Sequence, residues 1–436
     1  MKSRSPPVAP LFLATRARRN YLNRPPLSNS SIYETAAKAF PAKANTADVQ
    51  RKSILAFGVV PWTNQMKPLD VLASFGLFLI LSFGNKFPAT AVLSPSPTLF
   101  AFPIHCKLPI LTMSSAAASF LNDEIIFELP TTMLLYQSGR VERLVKDDIV
   151  PPALDPNTRV KSKDVIINPS TGLSARLYLP PSSSTTSNSD RKKLPVLLYY
   201  HGGAFCVMSA ASAIYHNYLN SLTAKADVLT VSVDYRLAPE NPLPAAYDDS
   251  WEALRWVMAG SDAWLSDFGN LGKIFLAGDS AGGNISHNLG LKLGSAGMKV
   301  EGMVLIHSYF WGKERIGAEG DENRRSKRTA KDADGLWPVL CPGRTDLDDP
   351  WINPMADSAP SLVTLGCRRA LVCVAEIDLL RDRGRLYYDK LKQSGWDGEA
   401  EFMETEGEDH VFFLFKPHSS KAEEFEDRLV SFFNKV

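Results

Sequence analysis

The sequence predicts an α/β fold, a mostly parallel sheet with helices on both faces, and three observations carry that reading. Apolar runs of strand length recur at 194–200, 228–233, 274–277, 303–309 and 370–375. Segments of helix length separate them, at 213–226, 245–258, 281–293 and 381–394. The runs are apolar throughout rather than alternating, which marks strands buried on both faces, as in parallel sheets covered by crossover helices.

Taken in order, the folded unit is expected to begin near Leu121, dividing the chain into an extension, 1–112, and a domain, 113–436. Short strands with turns between them are expected over 133–143 and 162–179. The second ends at Pro180-Pro181, because proline cannot donate to a sheet ladder. A polar, low-complexity loop at 182–193 leads into the first buried strand. The segment 312–348 is polar and irregular, and is expected to make a helical or loop excursion over the sheet. A strand at 399–404 and an amphipathic helix at about 420–434 close the chain.

The formal net charge of +1 conceals an asymmetry. Residues 1–112 hold 13 Lys/Arg against 3 Asp/Glu, leaving 35 against 44 for the rest. A mildly acidic body without a basic cluster gives no reason to expect nucleic acid as a partner. The basic leader, rich in Ser, Pro, Ala and Arg over 1–50, has the composition of an organelle transit peptide. Residues 71–84 are an uncharged apolar run, too short for a membrane span of about 20 residues but the length of a signal h-region. Transit peptide, internal signal anchor and a gene-start extension ahead of Met113 all remain open. The domain is cytoplasmic if translation begins near Met113, and plastid or secretory if the extension is a targeting segment.

Five cysteines (Cys106, Cys206, Cys341, Cys367 and Cys373) include no CxxC pair and fit reduced, mostly buried thiols. The 7 histidines form no metal-ligand spacing, so no metal and no cofactor are expected.

The chemistry is concentrated in a few runs. Gly278-Asp279-Ser280-Ala281-Gly282 is a weak signal alone, since short Gly/Ser patterns arise by chance. Here a strand precedes it and a helix-compatible segment follows, the strand–sharp turn–helix context of a nucleophile elbow. Ser280 is therefore the expected nucleophile, with small residues two positions to either side. Upstream, the strand 194–200 runs into His201-Gly202-Gly203-Ala204-Phe205. Glycines let the backbone approach a developing alkoxide, so Gly202 and Gly203 are expected as oxyanion donors beside the Ala281 amide. In this constellation the acid and then the histidine follow the serine. Asp378, just past the strand 370–375, and His410, in the loop 407–412, take those places. Asp409 reads as a loop charge, His418 as an exposed residue, and His216, His287 and His307 as packed residues rather than bases. Cys206, Tyr309 and Val411 are expected to line the substrate pocket by adjacency to the motifs; Val207, Met208, Phe310, Trp311, Ile377 and Phe412 flank them too, and core packing is the simpler reading for most of these.

These runs, with Asp234-Tyr235-Arg236-Leu237-Ala238-Pro239-Glu240 and Gly407-Glu408-Asp409-His410, resemble the hormone-sensitive-lipase branch of the α/β-hydrolases. More narrowly, Gly139–Arg143, 349–354 and 380–388 are similar to plant carboxylesterases, over about 117–436. The resemblance implies an α/β-hydrolase fold with a small cap built partly from 117–150. It implies a serine carboxylesterase acting on a small or medium ester, with no obligate protein partner evident. It places Arg236 and Glu240 in a buttressing turn, where they could pair. Gibberellin receptors resemble the same family with the catalytic histidine replaced, a reading that His410 disfavours. The 2-hydroxyisoflavanone dehydratases also resemble it, and a base beside an oxyanion hole suits elimination as well as hydrolysis.

Overall fold

The computed structural model describes residues 123–184, 193–321 and 325–435. The extension 1–112, its apolar run, Met113 and Cys106 lie outside the described residues. Three short strands, β1 (Ile125–Leu129), β2 (Met133–Tyr136) and β3 (Val141–Arg143), form an antiparallel sheet of their own. Then come β4 (Lys161–Asn168), β5 (Leu173–Leu179), β6 (Leu194–Tyr200), α1 (Ala213–Ala226), β7 (Leu229–Asp234), α2 (Ala245–Met258) and α3 (Ala263–Phe268). Next are β8 (Gly269–Asp279), α4 (Ala281–Ser295), β9 (Val300–Ile306), α5 (Ala330–Leu340) and β10 (Cys367–Ala375). The chain ends in α6 (Arg381–Gln393), β11 (Glu399–Thr405), α7 (Phe412–Phe415) and α8 (Ser420–Asn434).

The main sheet has eight strands in the order β11-β10-β9-β8-β6-β7-β5-β4, parallel from β7 to β11, with β5 running against both neighbours. Its two faces are legible in β6. Val196, Leu198 and Tyr200 join a core with Leu254 and Val257 of α2 and Ile285 and Leu289 of α4. Leu197 and Tyr199 point the other way, into a core with Leu219 and Leu222 of α1 and Phe425 and Phe432 of α8. Both faces are covered, and this is why the strands carry unbroken apolar runs.

Strand order locates the crevice. From β6 the chain moves to β7 on one side and returns to β8 on the other, so the order reverses between β6 and β8. Ligand sites of open α/β sheets lie at the carboxyl ends of the strands beside such a reversal. His201 follows β6 and Ser280 follows β8.

Two differences from expectation, and one refinement of it, have physical reasons. The strand expected over 303–309 ends at Ile306, because His307 takes a φ of 43° and turns the chain out of the sheet. The excursion 312–348 contains α5, started by a capping box in which the Thr329 hydroxyl and the Asp332 carboxylate satisfy each other's backbone amides. Glu240 does not pair with Arg236: Arg236 is taken by Asp249, and Glu240 by Arg143 of β3. Cys206, Cys341, Cys367 and Cys373 are free and buried. No helix among the described residues is long and apolar enough to cross a membrane.

Candidate active site

The turn after β8 is held by contacts that leave no room for side chains. A Cβ on Gly282 would collide with the Tyr200 carbonyl oxygen, and one on Gly278 with the Gly282 backbone. Between them Ser280 adopts φ 53°, ψ −116°, a conformation that costs a non-glycine residue about 1–3 kcal/mol. Two backbone bonds of 2.9 Å hold it there, from Ser280 N–H to the Ile306 carbonyl and from Tyr309 N–H to the Ser280 carbonyl. The helix α4 begins at the next residue, so the Ala281 amide and the positive end of the helix dipole adjoin the serine.

The other two expected residues meet across neighbouring loops. His410 Nδ1 lies 2.7 Å from Asp378 Oδ2, and both residues are buried. The second Asp378 oxygen accepts from Leu380 N–H at 3.0 Å. Burial pushes the Asp378 carboxyl up, but the charge and hydrogen bond of His410, with His307 nearby, hold it below the ordinary value. Asp378 is thus ionised and fixed against the ring. With Nδ1 committed, Nε2 is the ring atom left for the serine. Asp409 stays out of this pair: its Oδ1 accepts from the His410 backbone N–H at 2.8 Å and from Ser326 at 3.2 Å. His418 is exposed, while His216 packs on Tyr178 and His287 on Phe310 and Tyr387.

Ser280 and His410 both line a cavity of about 500 Å³. Its walls include Leu129–Thr132 at the end of β1, then Tyr309, then Thr329, Ala333 and Leu336 in the excursion, Leu379 and Leu380 beside the acid, and Phe412. The small N-terminal sheet and α5 therefore form the roof. Phe127 of β1 packs against Gly335 of α5. Of the expected pocket residues, Tyr309 lines the cavity. Cys206 and Val411 do not; their side chains are buried in the two cores.

The loop expected to meet the oxyanion also departs from expectation. Gly202 N–H donates to the Tyr215 hydroxyl at 2.8 Å, which in turn donates to Asp279 Oδ2 at 2.9 Å. The Gly202 amide is therefore spent inward and is not a free donor. Gly203, at φ 98°, turns the loop, and a Cβ there would strike the Val207 carbonyl. Ala204 lines the cavity beside Ser280. No hydrogen bond is found for the N–H groups of Gly203, Ala204 and Ala281 among the described residues. Tyr215 and Asp279 were not legible as site residues, since their contact joins α1 to the end of β8.

His307 is the other residue that sequence reasoning passed over. Its Nδ1 accepts from Val411 N–H at 2.9 Å and lies 4.0 Å from Asp378 Oδ2. Its place at the carboxyl end of a central parallel strand was the available signal. His307, Asp378 and His410 bring donor atoms within 4.8 Å of one another, but both Nδ1 atoms are already engaged. The cluster is a hydrogen-bonded acid–base assembly.

A profile described as alpha/beta hydrolase fold matches residues 197–414, which spans both the elbow and the histidine loop. A probable carboxylesterase 2 of Arabidopsis thaliana is 45% identical over 315 residues, covering 72% of this chain and 98% of that one. The chain belongs to the α/β-hydrolase family. This hydrolase is of the carboxylesterase type. It is also 42% identical to tuliposide A-converting enzyme 1, chloroplastic, of Tulipa gesneriana, covering 74% and 77% of the two chains. It is 41% identical to a 2-hydroxyisoflavanone dehydratase of Glycyrrhiza echinata, covering 73% and 99%. Among solved structures, an esterase of Pyrobaculum calidifontis matches with a TM-score of 0.53 and 30% identity, covering 63% of this chain and 84% of that one.

Proposed function

We propose that this hydrolase is a serine carboxylesterase for small to medium carboxylic esters, with Ser280 as nucleophile, His410 as base and Asp378 as its orienting acid. The observation that carries the reading is the 2.7 Å Asp378–His410 pair at the wall of the cavity that holds the strained Ser280. His410 Nε2 takes the Ser280 hydroxyl proton as Oγ attacks the ester carbonyl carbon. The resulting oxyanion is met by the free amides of Gly203, Ala204 and Ala281, with Ala204 in the place first expected of Gly202. Collapse breaks the bond to the alcohol oxygen, which takes the proton back from His410. Water, activated by the same imidazole, then frees the acid from Ser280. A cavity of about 500 Å³ suits a ligand of drug size or smaller.

The test is Ser280→Ala assayed with p-nitrophenyl butyrate. The variant should fold as the parent does and lose at least about 10³-fold in kcat. Undiminished turnover would overturn the assignment. The dehydratase relative supports a second reading, elimination of water from a 2-hydroxyisoflavanone, which product analysis with that substrate separates from hydrolysis. The receptor reading has less support, because the base position is filled and paired. For the leader, the chloroplastic tulip relative favours the plastid alternative. Import of a fluorescent protein fused behind residues 1–112 would test it, and a purely cytosolic signal would refute it.

A further inference from the structure

The strained backbone beside the base has a specific support. Val411, the residue after His410, sits at φ 47°, ψ 36°. That left-handed region is unfavourable for any residue with a Cβ and most of all for a β-branched one. The conformation sets the direction in which the loop delivers the His410 ring, so something must hold it. The Val411 N–H points into the protein and is caught by His307 Nδ1 at 2.9 Å.

His307 is built for that contact. It is buried, and its own N–H is tied to the Cys373 carbonyl at 2.9 Å, which fixes it to β10, the strand that leads to Asp378. Because Nδ1 accepts, the ring proton sits on Nε2, which is buried and has no hydrogen-bond partner among the described residues, in a ring packed near Phe412, Phe413 and Phe425. An unsatisfied buried donor costs about 1–3 kcal/mol, so packing alone would favour an apolar residue here. Burial also pushes the His307 imidazole down to about 4, despite the pull of Asp378 the other way. The ring is neutral at pH 7, and its Nδ1 lone pair stays available.

We infer that His307 is a positioning residue for the catalytic base: it holds the strained His410–Val411 turn through the Val411 amide, and so keeps His410 on Asp378 and aimed at Ser280. The inference rests on the esterase reading for its effect on rate, but the hydrogen bond itself can be read without catalysis.

Three variants test it. His307→Leu removes the acceptor at similar size, and His307→Asn restores an acceptor near the Nδ1 position. Val411→Gly lets the turn adopt a positive φ without strain. His307→Leu should lower kcat by about tenfold or more with little change in KM, as expected of a misaimed base. His307→Asn should recover most of the loss, and the loss should shrink in the Val411→Gly background. A residue that only fills space would give equal losses in both backgrounds and no rescue by Asn, and that result overturns the inference. Hydrogen exchange of the Val411 amide supplies the reading independent of activity. Faster exchange in His307→Leu, with the sheet amides unchanged, supports the inference, and unchanged protection overturns it. If ester turnover is absent from the parent protein while this exchange result holds, the esterase reading fails and the positioning role stands. Should His307→Leu fail to fold, His307→Met, which likewise lacks an acceptor for the Val411 amide, carries the same comparison.

Discussion

Arg143 and Glu240 form a fork-to-fork pair, with 2.8 Å on each arm, that joins the small N-terminal sheet to the turn after β7. The same guanidinium donates from Nε to the Cys206 carbonyl at 2.7 Å and approaches the Ala238 carbonyl at 3.4 Å. One side chain thus fastens the roof of the cavity to the loop that carries the Gly203 and Ala204 amides.

Arg143→Ala should therefore damage catalysis more than stability. Both members of the pair are about a third to a half exposed, and such pairs contribute only about 0.2–1 kcal/mol. The loss of the Cys206 contact frees the oxyanion loop, so kcat/KM should fall several-fold while Tm drops by no more than about 4 °C. Glu240→Gln keeps the Cys206 contact and should be milder. Steady-state rates and thermal melts of the two variants check the order. Equal losses in both would show that the ion pair, and not the carbonyl contact, is what matters.

Tyr215→Phe removes a single oxygen that accepts from Gly202 N–H and donates to Asp279. It leaves a buried amide and a buried carboxylate each short of a partner, a loss of about 1–3 kcal/mol in stability. Gly202 precedes the free donors directly, so kcat should also fall, by about tenfold, with KM less affected. Wild-type kcat in a folded Tyr215→Phe protein would show that the loop is held without this bond.

How much of this was legible in the sequence differs with the range of the contact. Strand β6 and helix α1 lie where their apolar pattern puts them, since those signals are local. Ser280, Asp378 and His410 follow from chain order and from strand ends, which a parallel sheet gathers at one edge. Gly202 is a different case. The direction of its N–H depends on Tyr215, 13 residues away on another element, and no local pattern reports that. Glu240 pairs with Arg143 across 97 residues, whereas the sequence offers only the nearby Arg236 as a possible partner. His307 looked like strand packing because nothing in its neighbours reveals the positive φ that ends β9.

Asp279 and Asp378 are both wholly buried, yet they shift in opposite directions. Burial raises Asp279, and the hydroxyls of Tyr199 and Tyr215 offset this only in part, so its pKa stays above the ordinary value. Asp378 has imidazoles for neighbours and is held below it. A raised carboxyl contributes stability that is complete below its unfolded pKa of about 3.9 and is lost as pH rises through the folded value. A lowered one contributes stability present above about 3.9 and lost as pH falls through the folded value. The Tm advantage of the parent over Asp279→Asn should therefore narrow as pH rises from 4 to 8. Its advantage over Asp378→Asn should hold across that range and shrink only below about pH 4. Melting curves in a pH series decide both, and parallel trends for the two variants would contradict the assignment of opposite shifts.

A cysteine in the loop after β6 raises the question of which nucleophile an inhibitor meets. Cys206 lies three residues past Gly203, but its side chain is buried in the core and burial pushes the thiol up to about 12. Cys373 is likewise pushed up to about 12 by burial. Only the thiolate attacks, and at pH 8 a thiol of pKa about 12 is ionised in about one molecule in 10⁴. Ser280 has a different setting, in the wall of a cavity that the His410 imidazole, paired with Asp378, also lines. Iodoacetamide at pH 8 should leave ester turnover unchanged. A fluorescent phosphonate should label one site stoichiometrically and abolish turnover, and Ser280→Ala should not be labelled. Rapid loss of activity with iodoacetamide, protected by prior phosphonate binding, would place a reactive thiol in the cavity and contradict the burial of Cys206.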